Sequence, residues 1–306
     1  MKKLRQPANA CMSERPMVSI VMVAYNSAKY IDMAIKGVVS QRTDFPIQLV
    51  ISDDASTDDT EAIAEKWASE YPDIINYHRN SSNLGVQKNY LEAFKHCKGK
   101  YLAMCDADDY WTCHTKLARQ VKYMETHPEC AICYHRVINY YEETGEMSLS
   151  NGGGKRMLVN NAEDLSKRNV ITNMSALSRR DLLDFDNLPE WLGEVRLLDY
   201  AIHLLFASSR PENTIHFMGR PMGVYRHSSQ AIWTLAGMKN RMQMAIDVRR
   251  HLMQELADKP WLVRNLEKAC RNMEDSMSNP PANTSKKRVF SRLRAAVSRL
   301  LPVPKP

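Results

Sequence analysis

Apolar residues in the first third of the chain come in short runs, and each run gives way to a polar loop and then to a stretch of helical composition. Val18-Ser19-Ile20-Val21-Met22-Val23 is followed by Ala24-Tyr25-Asn26-Ser27. Gln48-Leu49-Val50-Ile51 leads into Ser52-Asp53-Asp54-Ala55-Ser56-Thr57-Asp58-Asp59-Thr60. Ile75-Asn76-Tyr77-His78-Arg79 precedes the turn Asn83-Leu84-Gly85, and Tyr101-Leu102-Ala103-Met104 precedes Cys105-Asp106-Ala107-Asp108-Asp109. Short β-branched runs bounded by turn residues predict strands near 18–24, 47–52, 75–79 and 101–105. Between and after them, helices are predicted near 28–41, 58–70, 86–97 and 113–126. Strand and helix in alternation imply a parallel α/β sheet. Such a sheet binds ligands beyond the carboxyl ends of its strands.

Beyond residue 126 the pattern loosens. Ala131–Ile138 and Phe217–Tyr225 read as strands, and residues 196–208 as an apolar helical segment with one acid. Thr234–Glu255 and Pro260–Met273 read as helices; Met238, Met242, Ala245 and Val248 share one face of the first, a stripe expected in a core. Asn151-Gly152-Gly153-Gly154 is either an Asn-Gly hairpin turn or a mobile loop at an acceptor site. The expected organisation is a loose leader over 1–16, an α/β domain over 17–230, a helical extension over 231–278 and a basic amphipathic tail over 279–306.

Composition refines this only in places. The 306 residues, 44% hydrophobic, suffice for one large domain with an appendage. The net charge is +7, and the seven basic side chains after Asn283, with no acid among them, account for all of it. Residues 1–282 are therefore neutral overall, which argues against a nucleic-acid partner. In the tail, Val289, Phe290, Leu293, Val297, Leu300 and Leu301 recur at helical spacing among arginines. This suits an anionic membrane surface, or else a helix docked on the body or a disordered tail. Seven scattered cysteines, an odd number, point to a reducing compartment. Cys130-Ala131-Ile132-Cys133 has the spacing of half a zinc site but begins a predicted buried strand. No apolar run is long enough to span a bilayer, and the basic N-terminus lacks the apolar core of a secretory signal.

The chemistry is concentrated at Asp106, Asp108 and Asp109. Three carboxylates in four residues at a strand end repel and raise one another's pKa unless a cation sits among them. Hard oxygen ligands suit Mg²⁺ or Mn²⁺. The competing reading is a solvated acidic turn that caps the next helix. The ordered set Val18–Asn26, Ser52–Asp58, Asn83-Leu84-Gly85 and Asp106–Asp109 resembles the family 2 glycosyltransferases, inverting enzymes with the GT-A fold. The resemblance covers about 16–230 and is densest over 17–111.

That resemblance implies a Rossmann-like mixed sheet flanked by helices, with a helical C-terminal extension. It implies that Val23, Ala24, Tyr25 and Asp54 line a nucleotide pocket, with Asp53 organising the loop. Lys88 is either a diphosphate contact or a solvated helix residue. Asp109 and then Asp108 match the metal ligands, and Asp106 a ribose contact or support. Tyr225-Arg226-His227 partly matches a late family segment, in which Arg226 would bind diphosphate and His227 would complete the metal shell. Asn173 and Ser175 match a segment under the acceptor site. Asp199 matches the general base, although the acid that commonly precedes it is Leu198 here; Glu194 and Glu190 are the nearest alternatives, and a plain helix cap is the competing role.

The expected activity is transfer of a sugar from a nucleoside-diphosphate sugar, most simply a UDP-sugar, to a hydroxyl of a saccharide or lipid-linked acceptor in cell-surface polysaccharide synthesis. The expected place is the cytoplasm, peripheral at the inner face of the plasma membrane. A nucleotidyltransferase and a non-catalytic sugar-nucleotide-binding adaptor are the rival readings.

Overall fold

A computed structural model of the protein describes residues 15–150, 158–228 and 236–278. The leader before residue 15, the Asn151–Gly154 loop, residues 229–235 and the linker and tail from 279 lie outside the described residues.

The apolar runs form parallel strands β1 (Val18–Ala24), β2 (Ile47–Asp53), β3 (Ile75–Arg79) and β4 (Tyr101–Met104). They lie side by side in the order β3-β2-β1-β4. Val21 pairs with Val50 on one side and Met104 on the other, so the two acidic loops leave the sheet flanking the β1 loop. Successive side chains alternate between faces. Ile20 and Met22 enter one core with Leu49 and Ile51, and Val21 and Val23 enter another with Val50 and Met104. A strand buried on both faces needs a near-continuous apolar run, which β1 and β4 have; β3, at the edge of the sheet, alternates with polar residues instead.

Helix α1 (Ile31–Val39) buries Ile31, Ala34, Ile35 and Val38, the spacing of one helical face. It starts three residues later than predicted, because residues 27–30 form a turn in which the Ser27 carbonyl accepts from Tyr30 and Ile31. Gly37 on this helix has no room for a side chain: a Cβ would lie 2.9 Å from the backbone N and O of Trp111. Helices α2 (Thr60–Glu70), α3 (Val86–Lys95) and α4 (Lys116–Thr126) complete the alternating part.

The rest of the sheet was only partly legible. Strands β5 (Tyr110–Trp111), β6 (Cys130–Tyr141), β7 (Glu146–Leu149), β8 (Leu177–Arg179) and β9 (Thr214–His227) extend it in the order β4-β8-β6-β9-β5, with β7 on β6. β8 is antiparallel to both β4 and β6, while β6 and β9 are parallel. Three of these strands, β5, β7 and β8, are two to four residues long and carry no periodicity of their own. Helices α5 (Ala162–Lys167), α6 (Leu198–Ser208), α7 (Gly237–Glu255) and α8 (Pro260–Ser278) complete the described chain.

The helical extension shares the core of the sheet domain: Val248, Leu252, Leu256, Leu262 and Leu266 join Tyr200, Leu204 and Phe206 of α6. The expected methionine stripe is not its seam. Met238 is 75% exposed, and α7 buries Ile246, Val248, Arg249 and Leu252, the face that reaches α6. Among the described residues no helix is long and apolar enough to cross a membrane.

Candidate active site

The loops after β1, β2 and β4 meet at one edge of the sheet. The Asp53 carboxylate is buried beneath them. It accepts from the Ser56 amide at 2.9 Å, the Tyr77 hydroxyl at 3.0 Å and Arg79 at 2.9 Å. These bonds hold Ala55 at a φ of 59°, in the left-handed region that a non-glycine residue rarely adopts. Asp53 thus shapes the loop from below. Asp54 does the same for the next turn: it accepts from Asn80 at 2.9 Å and from the amides of Leu84 and Gly85 at 2.8 and 2.9 Å. Gly85, at a φ of +85°, allows the chain to turn there into α3.

Of the three β1-loop residues expected to line a pocket, only Tyr25, 51% exposed, presents its side chain. The side chains of Val23 and Ala24 belong to the core, so these two residues offer backbone alone. Their carbonyls already accept from Ala107 and Asp54. Lys88 is exposed, and its stem passes over Gly193.

Asp106, Asp108 and Asp109 bring one oxygen each within 4.8 Å of one another. Asp106 is held by the Tyr90 hydroxyl and by Asn173, and Asn173 also donates to Tyr90 at 2.9 Å. Asp109 accepts from the Arg226 amide at 2.9 Å through Oδ1, while its Oδ2 is buried without a partner. Burial raises all three carboxyls. Repulsion from Asp106 helps bring Asp108 to about 6, and repulsion from both neighbours lifts Asp109 further. A buried anionic oxygen with no donor is costly, and a cation among these oxygens would remove that cost. The residues present therefore fit a divalent metal.

Arg226 braces this loop. Its Nε donates to the Asp108 carbonyl at 2.9 Å, and its guanidinium sits 4.7 Å from the ring centre of Tyr30 and 5.7 Å from those of Tyr110 and Tyr140. Its backbone and Nε are thus committed to the acidic loop rather than free for a ligand. His227 does not join the cluster as the sequence led us to expect. Its ring stacks on Tyr141 at 4.5 Å and bonds Asn139 at 3.2 Å, because pairing of β9 with β6 sets it beside those residues.

Asp199 lies in the first turn of α6, where backbone amides of the helix start face its carboxylate. Burial, with the Asp106 charge adding to it, raises its carboxyl to about 6. The same field reaches Tyr90 and Tyr225: both phenols are raised by burial and by surrounding carboxylates that include Asp199. The charge of Asp199 thus acts on the same two phenols as the acidic loop does. Glu190 and Glu194 stay exposed. His203, one turn after Asp199, is wholly buried without a partner and pushed down to about 4, a neutral core residue. Ser175 is buried and satisfied by the Thr172 carbonyl at 2.6 Å, so of the segment 171–175 only Asn173 reaches the site.

Tyr90 and Tyr225 escaped the sequence reading. Tyr90 falls on the apolar face of α3, where its hydroxyl is indistinguishable from core, and the expectations for the late segment rested on its arginine and histidine. The Cys130–Cys133 pair offers no metal site: Cys130 donates to the Ile132 carbonyl, and neither residue belongs to a ligand cluster among the described residues.

Comparison with known proteins adds four findings. The sequence pattern of glycosyl transferase family 2 matches residues 19–185. An uncharacterized protein of Mycobacterium tuberculosis is 36% identical over 216 residues, which cover 71% of this chain and 60% of that protein. The E. coli UDP-Glc:alpha-D-GlcNAc-diphosphoundecaprenol beta-1,3-glucosyltransferase WfaP is 36% identical over 135 residues, 42% of this chain and 47% of that enzyme. The chain thus spans less than two thirds of the length of either. Among solved structures, the mannosyltransferase PcManGT of Pyrobaculum calidifontis, in complex with GDP-Man and Mn²⁺, superimposes with a TM-score of 0.60 at 18% identity. That match covers 97% of this chain and 83% of the other, and it shows a common fold.

Proposed function

The chain belongs to glycosyl transferase family 2 and has the GT-A fold, and from that premise we propose that it is an inverting, metal-dependent glycosyltransferase. In this reading it moves a sugar from a nucleoside-diphosphate sugar, most simply a UDP-sugar, to a hydroxyl of a saccharide or lipid-linked acceptor in cell-surface polysaccharide synthesis. The observation that carries the reading is the meeting of Asp106, Asp108 and Asp109 with Asp199 on α6, four carboxylates in one field with the Asp109 Oδ2 left unpaired.

Asp106, Asp108 and Asp109 would hold Mg²⁺ or Mn²⁺. When bound, such an ion supplies a Lewis acid for the departing diphosphate. Tyr90 and Asn173 fix the Asp106 carboxylate, and Arg226 fixes the loop that carries Asp108 and Asp109. Asp199 receives the proton of the acceptor hydroxyl at its carboxylate; a carboxyl raised to about 6 is still ionised at neutral pH and is a stronger base than an ordinary aspartate. An acceptor deprotonated on the α6 side attacks the sugar opposite its diphosphate, which inverts the anomeric centre. In this reading Tyr25, which is exposed, and the loop held by Asp54 would receive the nucleoside. The basic tail would bring the enzyme to the inner face of the plasma membrane.

Calorimetry with UDP-glucose, with and without Mn²⁺, tests the reading. The wild type should bind far more tightly with the ion, and Asp109→Ala should lose that dependence. Turnover should release free nucleoside diphosphate. Release of pyrophosphate, or donor binding indifferent to both the ion and Asp109, would overturn it.

A further inference from the structure

Arg226 lies beside the acidic cluster without pairing with it. Its backbone amide bonds the Asp109 carboxylate at 2.9 Å. Burial raises the Asp108 and Asp109 carboxyls, and the Arg226 charge pulls both the other way. An arginine fork matches the two oxygens of a carboxylate. Yet among the described residues the guanidinium enters no ion pair, and its Nε donates to the Asp108 carbonyl, a neutral group. Asp109 Oδ2 stays buried and unpartnered although this arginine is next to it.

Aromatic rings hold it instead, and the sheet register puts them there. Arg226 pairs with Tyr140 where β9 meets β6, and Val224 pairs with Tyr110 where β9 meets β5. Side chains two apart on a strand share a face, so Tyr110, Arg226 and Tyr140 come together on one face of three neighbouring strands. Tyr30, in the turn that leads into α1, covers them. Its ring centre is 4.7 Å from the guanidinium, and those of Tyr110 and Tyr140 are 5.7 Å from it. Tyr30 is itself pinned in place. Its hydroxyl donates to Glu142 Oε2 at 2.8 Å, and Lys29 Nζ bonds Glu142 Oε1 at 2.8 Å. The Glu142 amide in turn donates to the carbonyl of His227, the residue after Arg226, at 3.0 Å. A cation over a ring face is attracted by the π electrons, the more so where water is displaced, and Arg226 and all three tyrosines are partly buried.

Resting on the glycosyltransferase reading, we infer that Tyr30, Tyr110 and Tyr140 are positioning residues for the ion site: their rings hold the Arg226 guanidinium off the Asp108 and Asp109 carboxylates and so keep those oxygens for a divalent cation. Without the rings the fork is free to turn onto the acids that its own backbone already touches, and an incoming ion must displace it. The arginine is thus a built-in competitor of the ion, and the three rings restrain it.

The test is Mn²⁺ binding to the full chain with UDP in excess, read from the electron paramagnetic resonance signal of the free ion. Tyr30→Leu, which fills the space without offering a ring face, should weaken Mn²⁺ by about fivefold or more. Tyr30→Phe, which keeps the ring, should stay within about twofold of wild type. The deciding comparison is made in Arg226→Gln, whose neutral amide cannot compete with the ion. There the same Tyr30→Leu change should move Mn²⁺ affinity by less than about twofold. A ring that only props up the fold would cost the same factor in both backgrounds, and that result would overturn the proposal. So would a Tyr30→Leu protein that binds Mn²⁺ like wild type, or a Tyr30→Phe protein as weak as the leucine variant. Tyr140→Leu gives the same reading should Tyr30→Leu not fold. A wild type that binds no Mn²⁺ would sink the metal-dependent reading and this proposal with it, whereas Mn²⁺ bound alike by wild type and variants would sink the proposal alone.

Discussion

Replacing Asp199 by Asn separates catalytic from structural roles, because the two predict opposite changes in stability. Burial and the Asp106 charge raise the Asp199 carboxyl from an ordinary 3.8 to about 6. Two units correspond to about 3 kcal/mol at 1.36 kcal/mol per unit. The sign follows from proton counting. Between pH 4 and 6 the folded protein holds a proton on Asp199 that the unfolded chain has lost, so stability falls as pH rises through this window. Above about 6 the folded state bears the whole cost. A neutral amide at this position has no charge to desolvate, so Asp199→Asn should stabilise the protein at neutral pH by up to about 3 kcal/mol and flatten the pH 4–6 dependence. The same change should lower kcat by roughly 10²–10⁴, the usual worth of a general base. Donor affinity should hold, since Asp199 lies on the acceptor side. Wild-type kcat should rise with pH to a plateau above an inflection at or below about 6, and the variant should lack that inflection. Melting curves from pH 4 to 8, with nucleoside diphosphate release measured at saturating donor and Mn²⁺, read all of these. A variant that melts lower than wild type, or turns over within threefold of it, would refute the reasoning.

Two further outcomes follow from buried positions in the packed interior. Lys116 is fully buried with its ammonium unpaired, 3.9 Å above the Trp111 ring, and burial lowers it to about 7. The unfolded chain binds that proton up to about 10.5, so wild-type stability should rise from pH 7 toward 10 by at most about 5 kcal/mol, less what the ring contact returns to the charged form. In Lys116→Met this slope should be lost, as melting temperature against pH would show; an unchanged slope would mean the ammonium has found a partner or water. Gly99 sits against the first strand, where a Cβ would run into the Ser19 amide nitrogen and lie 2.8 Å from the Tyr101 carbonyl oxygen. Gly99→Ala should therefore cost about 1–3 kcal/mol or more in denaturant unfolding, and a value near zero would show that the turn can shift freely.

Periodicity and local composition determined the alternating half of the fold and three of its site carboxylates. Val18–Val23 and Tyr101–Met104 declare strands because apolar side chains on both faces must leave water wherever those segments pack. Asp106, Asp108 and Asp109 could be located because a strand end fixes where its next loop emerges. The Asp199 position was also legible, through family resemblance rather than through any pattern of its own. What the chain alone did not reveal is which distant groups meet those carboxylates. Tyr90 reaches Asp106 across 16 residues, and Arg226 reaches Asp109 across 117. Val23 and Ala24 turned inward, and His227 was drawn onto Asn139 and Tyr141. The placements of Arg226 and His227 depend on strand order, since β9 lies between β6 and β5, and on a parallel register interrupted by bulges near Arg136; the Tyr90 contact depends instead on α3 packing across β1 and β2. Hydrophobic transfer is local and additive along a segment, so sequence reports it. The meeting of polar groups at a sheet edge is decided by pairings between segments far apart, and it exists only once the sheet has closed.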